Sequence, residues 1–252
     1  MLPEAAIIIR TKNEQRWIGA VLERLFSQTY KDFEVVIVDS GSRDETLAIA
    51  QKFPVTILEI RPESFSYPYA LNYGIARCRA NQYVAILSAH SLPISDTWLA
   101  DGIAHLRRDG RVAGVYGFVY PLPDATLWDK IFQGFIFPLG RIVMGSRRAT
   151  RQASVITESG MGVLGFTNAL IRKDLWAQKH FDEEYGAGGE DGEWAAYWLA
   201  HGYCIIREPK FSVRHSHYLG LRGWIAQRNY WKSLAAPRPF RSLAFRKSKT
   251  HS

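Results

Sequence analysis

The chain has 252 residues, 47% of them hydrophobic, and a formal net charge of +8. That length and apolar share supply a full core for one α/β domain, or one and a half, and exclude a disordered, repetitive or fibrous polypeptide. No apolar run reaches the roughly 18 residues of a membrane-crossing helix. The opening MLPEAAIIIRTKNE has neither the basic n-region nor the cleavage pattern of a signal peptide and reads directly as a first strand. Cys78 and Cys204 stand far apart without motif spacing and read as reduced core thiols of a cytoplasmic protein. The positive charge is localised. From Pro209 to Ser252 there are ten Lys or Arg and no acidic residue, leaving 22 basic against 24 acidic residues elsewhere. Such a segment suits phosphate, nucleic acid or an anionic membrane surface, or is simply a solvated tail. Its interleaved aromatics (Tyr218, Trp224, Tyr230, Trp231, Phe240, Phe245) favour an interfacial surface, and no recognised module supports a nucleic-acid partner.

In chain order, residues 5–9 (AAIII) form a continuous apolar run, as expected of a strand covered on both faces. Trp17, Ile18, Val21, Leu22, Leu25 and Phe26 make one stripe of a helix. Phe33 to Val38 is a second strand, closed by DSGS, and Ser42-Arg43-Asp44-Glu45 fits a capping box opening a helix through about Lys52. Val55 to Ile60 is a third strand and Tyr69 to Arg79 a helix. Tyr83 to Leu87 is a fourth strand, with a helix from about Ser95 to Arg107. This alternation implies a doubly wound, mostly parallel sheet with helices on both faces. Ligands of such sheets bind at the carboxyl ends of strands, where the order reverses, so residues 10–14, 39–42 and 88–91 should converge. Further on, Val112 to Gly117 reads as a strand and Leu127 to Met144 as an amphipathic stretch broken by Pro138. Residues 145–162 read as a polar loop, residues 165–168 as leading into another helix, and Asp191 to His201 as helical. No Gly-x-Gly-x-x-Gly follows the first strand, which disfavours a dehydrogenase.

Seven segments occur in one order: IIIRTKNE, a helix ending SQTY, VVIVDSGSRDETLAIA, ALNYGIA, VAILSAH, GEDGEWA and VRHSHY, from residue 5 to about 220. In this order and spacing the chain resembles the family-2 inverting glycosyltransferases of GT-A fold, a nucleotide-diphospho-sugar transferase type, and within them the rhamnosyltransferase-like bacterial subgroup. The resemblance implies a GT-A domain over residues 1–220, with a nucleotide-binding half (1–110) and an acceptor and catalytic half (111–220). A basic aromatic segment follows at 221–252. It further implies that Thr11, Asn13, Glu14 and Asp39 contact the donor's nucleoside. Asp39 also reads as a turn residue, and Glu14 as a first-turn acid favoured by the helix dipole.

Family members carry Asp-x-Asp after the fourth strand, holding Mg2+ or Mn2+ on the donor diphosphate. Here Ser88-Ala89-His90 stands in its place. Either His90 ligates a cation, with a softer preference such as Mn2+, or His90 and Ser88 bind the diphosphate directly, or the site is degenerate. His215 matches a family metal or diphosphate ligand. His217, two residues on in an extended segment, shares its face. Arg214, Arg222 and Arg228 are candidates to neutralise the diphosphate. At Glu190-Asp191 the resemblance places the general base on Asp191, with Glu190 raising one pKa of the pair, although both acids also suit an ordinary helix start. Trp194 is either an acceptor-stacking ring or core. The expected function is therefore inverting transfer of a sugar from a nucleotide-diphosphate donor to a lipid-linked or polysaccharide acceptor. The expected place is the cytoplasm, peripherally on the inner face of the membrane. The alternative is a non-catalytic nucleotide- or carbohydrate-binding protein that has lost Asp-x-Asp.

Overall fold

The computed structural model describes residues 2–132, 152–160, 162–186 and 188–234. Strand β1 (Ala5–Thr11) is central in the sheet, and it is apolar on both faces because helices cover both. It lies parallel to β2 (Phe33–Asp39) on one side and to β4 (Tyr83–Ser88) on the other, with β3 (Val55–Glu59) beyond β2. Alternation along these strands splits the core in two. Ile8, Val36, Val84 and Ile86 face α3 (Tyr67–Arg77), whereas Ile7, Ile9, Ile37 and Leu87 face α1 (Ile18–Phe26) and α4 (Trp98–Arg108). Enclosing each such aliphatic side chain contributes about 1.5–3 kcal/mol.

The sheet continues beyond β4 through β9 (Asn168–Arg172), β6 (Val112–Tyr116), β10 (Cys204–Arg207) and β8 (Ser154–Ile156), giving the order β3-β2-β1-β4-β9-β6-β10-β8. Most pairs are parallel, but β9 runs antiparallel to both β4 and β6, and β8 is an antiparallel edge. The expectation that residues 165–168 lead into a helix is corrected. They lead into β9, whose Ala169, Leu170 and Ile171 are buried between two strands, and only then into α6 (Lys173–Gln178). A short, wholly apolar run carries no periodicity to separate the two states. The chain leaves β1 outward through β2 and β3 and returns to β4 on the opposite side. The crevice where the order reverses therefore lies beyond Arg10 of β1 and Ser88 of β4, which are register partners.

A second, small sheet sits at that end. Strand β11 (Val213–Arg214) lies between β5 (Leu92–Pro93) and β7 (Val119–Tyr120). It reaches this position by passing over Gly117, where a Cβ would stand 1.8 Å from the Phe211 carbonyl oxygen, so only glycine admits the crossing. Among the described residues, the remaining α-helices are α2 (Thr46–Ala50), α5 (Leu127–Phe132), α7 (Glu190–Ala200) and α8 (Leu221–Leu234). The capping box at Ser42 is also corrected. Helix α2 begins at Thr46, whose N–H donates to Asp44 Oδ1 at 3.0 Å, while Ser42 Oγ is engaged with Asp39 and Asn13. Of the stretch read as amphipathic from Leu127 to Met144, α5 is described, and residues 133–144 lie outside the described residues. Likewise β8 falls within the polar stretch read as a loop, of which 145–151 and 161 lie outside them.

Candidate active site

Three strand ends meet at the crevice, as their shared register requires. Asp39 is buried, and its carboxylate is committed to its own loop. Oδ2 accepts from the Gly41 and Ser42 N–H groups at 2.9 Å, and Oδ1 accepts from Ser42 Oγ at 2.5 Å. Asn13, at φ +56°, ties the β1–α1 loop to the same turn. Its N–H donates to Ser42 Oγ at 2.9 Å and its Oδ1 accepts from the Arg43 N–H at 2.8 Å. Thr11 Oγ1 is buried among the described residues without a hydrogen-bond partner. An unpaired buried hydroxyl costs roughly 1–3 kcal/mol, which marks the spot as built for something else.

His90 and Ser91, after β4, belong to a cluster drawn from three segments. His90 Nδ1 lies 2.9 Å from Glu14 Oε1, and its ring stacks on His215 at 4.4 Å between centroids. His215 is fixed on the small sheet: its N–H donates to the Tyr120 carbonyl at 2.7 Å, and its Nδ1 meets Ser91 Oγ at 3.1 Å. Its Nε2 stands 3.2 Å from His217 Nε2, the two rings crossing at 84°. Each of the three imidazoles offers a ring nitrogen within 4.8 Å of the others. Burial first, then the neighbouring His90 and His217, push the His215 pKa well below the ordinary histidine value. Burial and His90 also lower that of His217, although its ring is solvent-exposed at one side. Both shifts favour the neutral imidazole, the form that binds a metal. Ser88 is held through its N–H, which donates to the Thr167 carbonyl at 3.2 Å.

Across the crevice α7 begins with Glu190 and Asp191, after Gly186, Gly188 and Gly189 at φ +51°, +126° and +101°. Glu190 is 3% exposed, with Oε1 at 3.8 Å from Arg10 Nη1 and Oε2 without a hydrogen-bond partner. Burial, and then the Asp191 charge, raise its pKa to about 7 against the pull of Arg10. Asp191 Oδ1 accepts from the Gly192 N–H at 2.7 Å and Oδ2 from the Phe166 N–H at 3.4 Å. Burial raises its pKa too, with those two N–H groups and Arg10 opposing. Arg10 itself lies 4.5 Å from the centre of the Tyr67 ring, and its Nη1 makes no hydrogen bond. Sequence reasoning took Arg10 only as part of the 10–14 strand end and passed over Tyr67. The available signal was a guanidinium following five apolar strand residues, where a side chain enters the protein rather than the solvent.

Of the two readings of Trp194 the core one holds, and the interfacial reading of Trp224 fails. Trp194 is 0% exposed, donates its indole N–H to the Lys179 carbonyl at 2.9 Å and packs edge-on against Phe181 and Trp198, so it is core and cannot stack on an acceptor. Trp224, expected on an interfacial surface, is 2% exposed. It stacks on Phe132 at 5.4 Å and donates to Asp129 Oδ1 at 2.8 Å. Tyr230 does lie at the surface of α8. Among the candidate arginines, Arg214 turns back to donate to the Pro121 carbonyl at 3.2 Å.

The model of a family described as glycosyl transferase family 2 matches residues 6–177, most of the chain. Among curated proteins, the chain is 26% identical over 220 residues to the O-antigen chain rhamnosyltransferase WbaN of Salmonella anatum, covering 86% of this chain and 67% of that protein. It is 30% identical over 228 residues to a dolichyl N-acetyl-α-D-glucosaminyl phosphate 3-β-D-2,3-diacetamido-2,3-dideoxy-β-D-glucuronosyltransferase of Methanococcus voltae, covering 84% of this chain and 66% of that one. The chain thus spans about two thirds of the length of these relatives. The mannosyltransferase PcManGT of Pyrobaculum calidifontis, solved with GDP-Man and Mn2+, superposes with a TM-score of 0.63 at 23% identity, covering 90% of this chain and 60% of that one. The glucosyl-3-phosphoglycerate synthase of Mycobacterium tuberculosis, solved with Mn2+, UDP and glucosyl-3-phosphoglycerate, does so at 0.63 and 14%, covering 92% and 78%. These likenesses establish a GT-A fold. The family match over residues 6–177 makes this chain a glycosyltransferase of glycosyl transferase family 2, similar in sequence to bacterial O-antigen chain rhamnosyltransferases.

Proposed function

We propose that this glycosyltransferase inverts configuration, moving a sugar from a nucleotide-diphosphate donor to a glycan or lipid-linked acceptor with Asp191 as general base. The acceptor hydroxyl gives its proton to Asp191 as its oxygen bonds to the anomeric carbon. The bond from that carbon to the donor phosphate breaks, and the nucleoside diphosphate leaves on the opposite face. The observation that carries this reading is the buried carboxylate pair beside Arg10. Two acids at a helix start share one cation, so they titrate as a pair. Two main-chain N–H groups favour the charged form of Asp191 against its burial, and Glu190, whose Oε2 has no hydrogen-bond partner among the described residues, is the better placed of the two to hold a proton. A positioned general base contributes about 10²–10⁴-fold.

On the donor side, Thr11, Asn13, Glu14 and Asp39 would frame the nucleoside, with Asn13 and Asp39 acting by holding the two loops in place. Ser88 and His90 would face the diphosphate. The imidazoles of His90 and His215 fit a divalent cation, which when bound supplies positive charge against the leaving diphosphate. Relatives named for O-antigen chain and dolichyl phosphate chemistry support a lipid-linked or polysaccharide acceptor. The basic C-terminal segment supports a place on an anionic membrane face at the cytoplasmic side. No helix among the described residues is long and apolar enough to cross a membrane. Residues 1–220 would form the catalytic domain and 221–252 the segment that meets that surface. The reading is tested with Asp191→Asn. Donor affinity by calorimetry should stay within about twofold, while transfer falls by at least about a hundredfold. Transfer near the wild-type rate would remove Asp191 as the base.

A further inference from the structure

The imidazole cluster has a composition that changes which ion it prefers. Three ring nitrogens converge within 4.8 Å, one each from the β4 end, the end of β11 and the residue two beyond it. Each of the first two is anchored through its other nitrogen. Glu14 lies on Nδ1 of His90 and Ser91 on Nδ1 of His215, which orients both rings with their Nε2 edges on the side away from those contacts. A carboxylate on the far nitrogen, as Glu14 is on His90, is the usual outer partner of a metal-ligating imidazole. His215 and His217 already turn their Nε2 atoms to one point, 3.2 Å apart. No carboxylate oxygen is part of the set.

We propose that His90, His215 and His217 form a three-nitrogen transition-metal centre, assembled before any nucleotide binds, that selects Co2+, Zn2+ or Mn2+ and rejects Mg2+. In this centre Glu14 is a positioning residue for His90. The proposal builds on the donor-site reading above and names the ion that site takes. Mg2+ demands oxygen ligands in near-ideal octahedral geometry and releases its waters reluctantly, so three imidazoles are a poor match for it. Divalent ions later in the first transition row bind nitrogen sets progressively better, with Mn2+ the weakest of the series. Three protein ligands also suffice to hold an ion without diphosphate oxygens, as three-histidine sites do. His217 thereby stands in for the carboxylates missing at Ser88-Ala89-His90.

The test uses the untagged full chain, stripped with EDTA and free of nucleotide, titrated with Co2+ and followed by visible ligand-field absorption. About one Co2+ should bind per chain, be displaced by Zn2+, and resist a large excess of Mg2+. Glu14→Gln should weaken Co2+ binding about 10–100-fold with the band shape kept, because the ligand nitrogens remain. His217→Ala should weaken it further and change the bands. His217 is exposed on one side, so this variant should melt within a few degrees of wild type, which separates ligand loss from misfolding. Absence of ligand-field bands, displacement by Mg2+, or a His217→Ala titration superimposable on wild type would each overturn the proposal. A parallel titration of UDP-, GDP- and dTDP-sugars in EDTA keeps the two readings apart. Nucleotide binding without a Co2+ centre sinks this proposal alone, and a Co2+ centre without any nucleotide binding sinks the donor reading alone.

Discussion

Glu190→Gln tests the carboxylate pair without touching the proposed base. Glu190 is buried, with a pKa of about 7 against 4.5 for the free side chain, so its ionised form is disfavoured in the fold by about 3 kcal/mol. The sign follows from proton counting. Between pH 4.5 and 7 the unfolded chain has released this proton and the native protein has kept it, so stability falls as pH rises and levels off above 7. Glutamine cannot ionise and escapes that loss. Relative to wild type, Glu190→Gln should therefore gain about 3 kcal/mol between pH 4.5 and pH 8. For a chain of this size that is a Tm difference growing by about 6–12 °C across the range. Asp191 remains, and because the two acids titrate as a pair the Tm difference reads their joint proton uptake. Thermal melts of both proteins at half-unit pH steps read this directly. A Tm difference constant within about 2 °C from pH 4.5 to 8 would refute the reasoning, because it would mean that Glu190 ionises in the fold as easily as in the unfolded chain.

Gly117→Ala should destabilise by about 3 kcal/mol or more, since its Cβ would overlap the Phe211 carbonyl oxygen and force β11 away. A wild-type Tm would show that the segment shifts freely. Trp224→Ala should cost about 3–5 kcal/mol, although Trp224 lies in the basic segment, because it empties a site between Phe132 and Asp129. A loss below 1 kcal/mol in urea melts would mean that α8 does not pack as described. Full-length protein should sediment with anionic vesicles at low salt and be released as salt rises past the screening range. Protein that stays in the supernatant at low salt would remove the membrane face from the proposal.

The first four strands were legible because central parallel strands leave no polar face. AAIII and VVIV announce burial without any partner being known. Strand β9 was not, because five residues carry too little pattern and its antiparallel place between β4 and β6 depends on strands more than 50 residues upstream. The capping box at Ser42 failed for a related reason. A cap is a local rule, yet Ser42 Oγ is claimed by the Asn13 N–H from 29 residues away, and Asp44 takes over the helix start. Trp224 was misjudged as interfacial because its indole partner, Asp129, lies 95 residues back in the chain.

The site divides along the same line. Glu190 and Asp191, His90 and His215 could be named from short motifs, because each motif puts a chemically committed side chain at a helix start or a strand end. What those motifs could not convey is which groups hold the named ones. Glu14 was expected at a nucleoside and is found on His90 Nδ1, and Arg10 was expected only as part of a segment and is found beside Glu190. Both are residues of β1 or its loop acting on side chains from other strands and helices. That follows from topology: β1 is the strand from which the sheet order reverses, so its carboxyl end borders both halves of the crevice. Replacing either residue should therefore disturb a different half, Glu14 the imidazoles and Arg10 the carboxylates, although only four positions separate them in sequence.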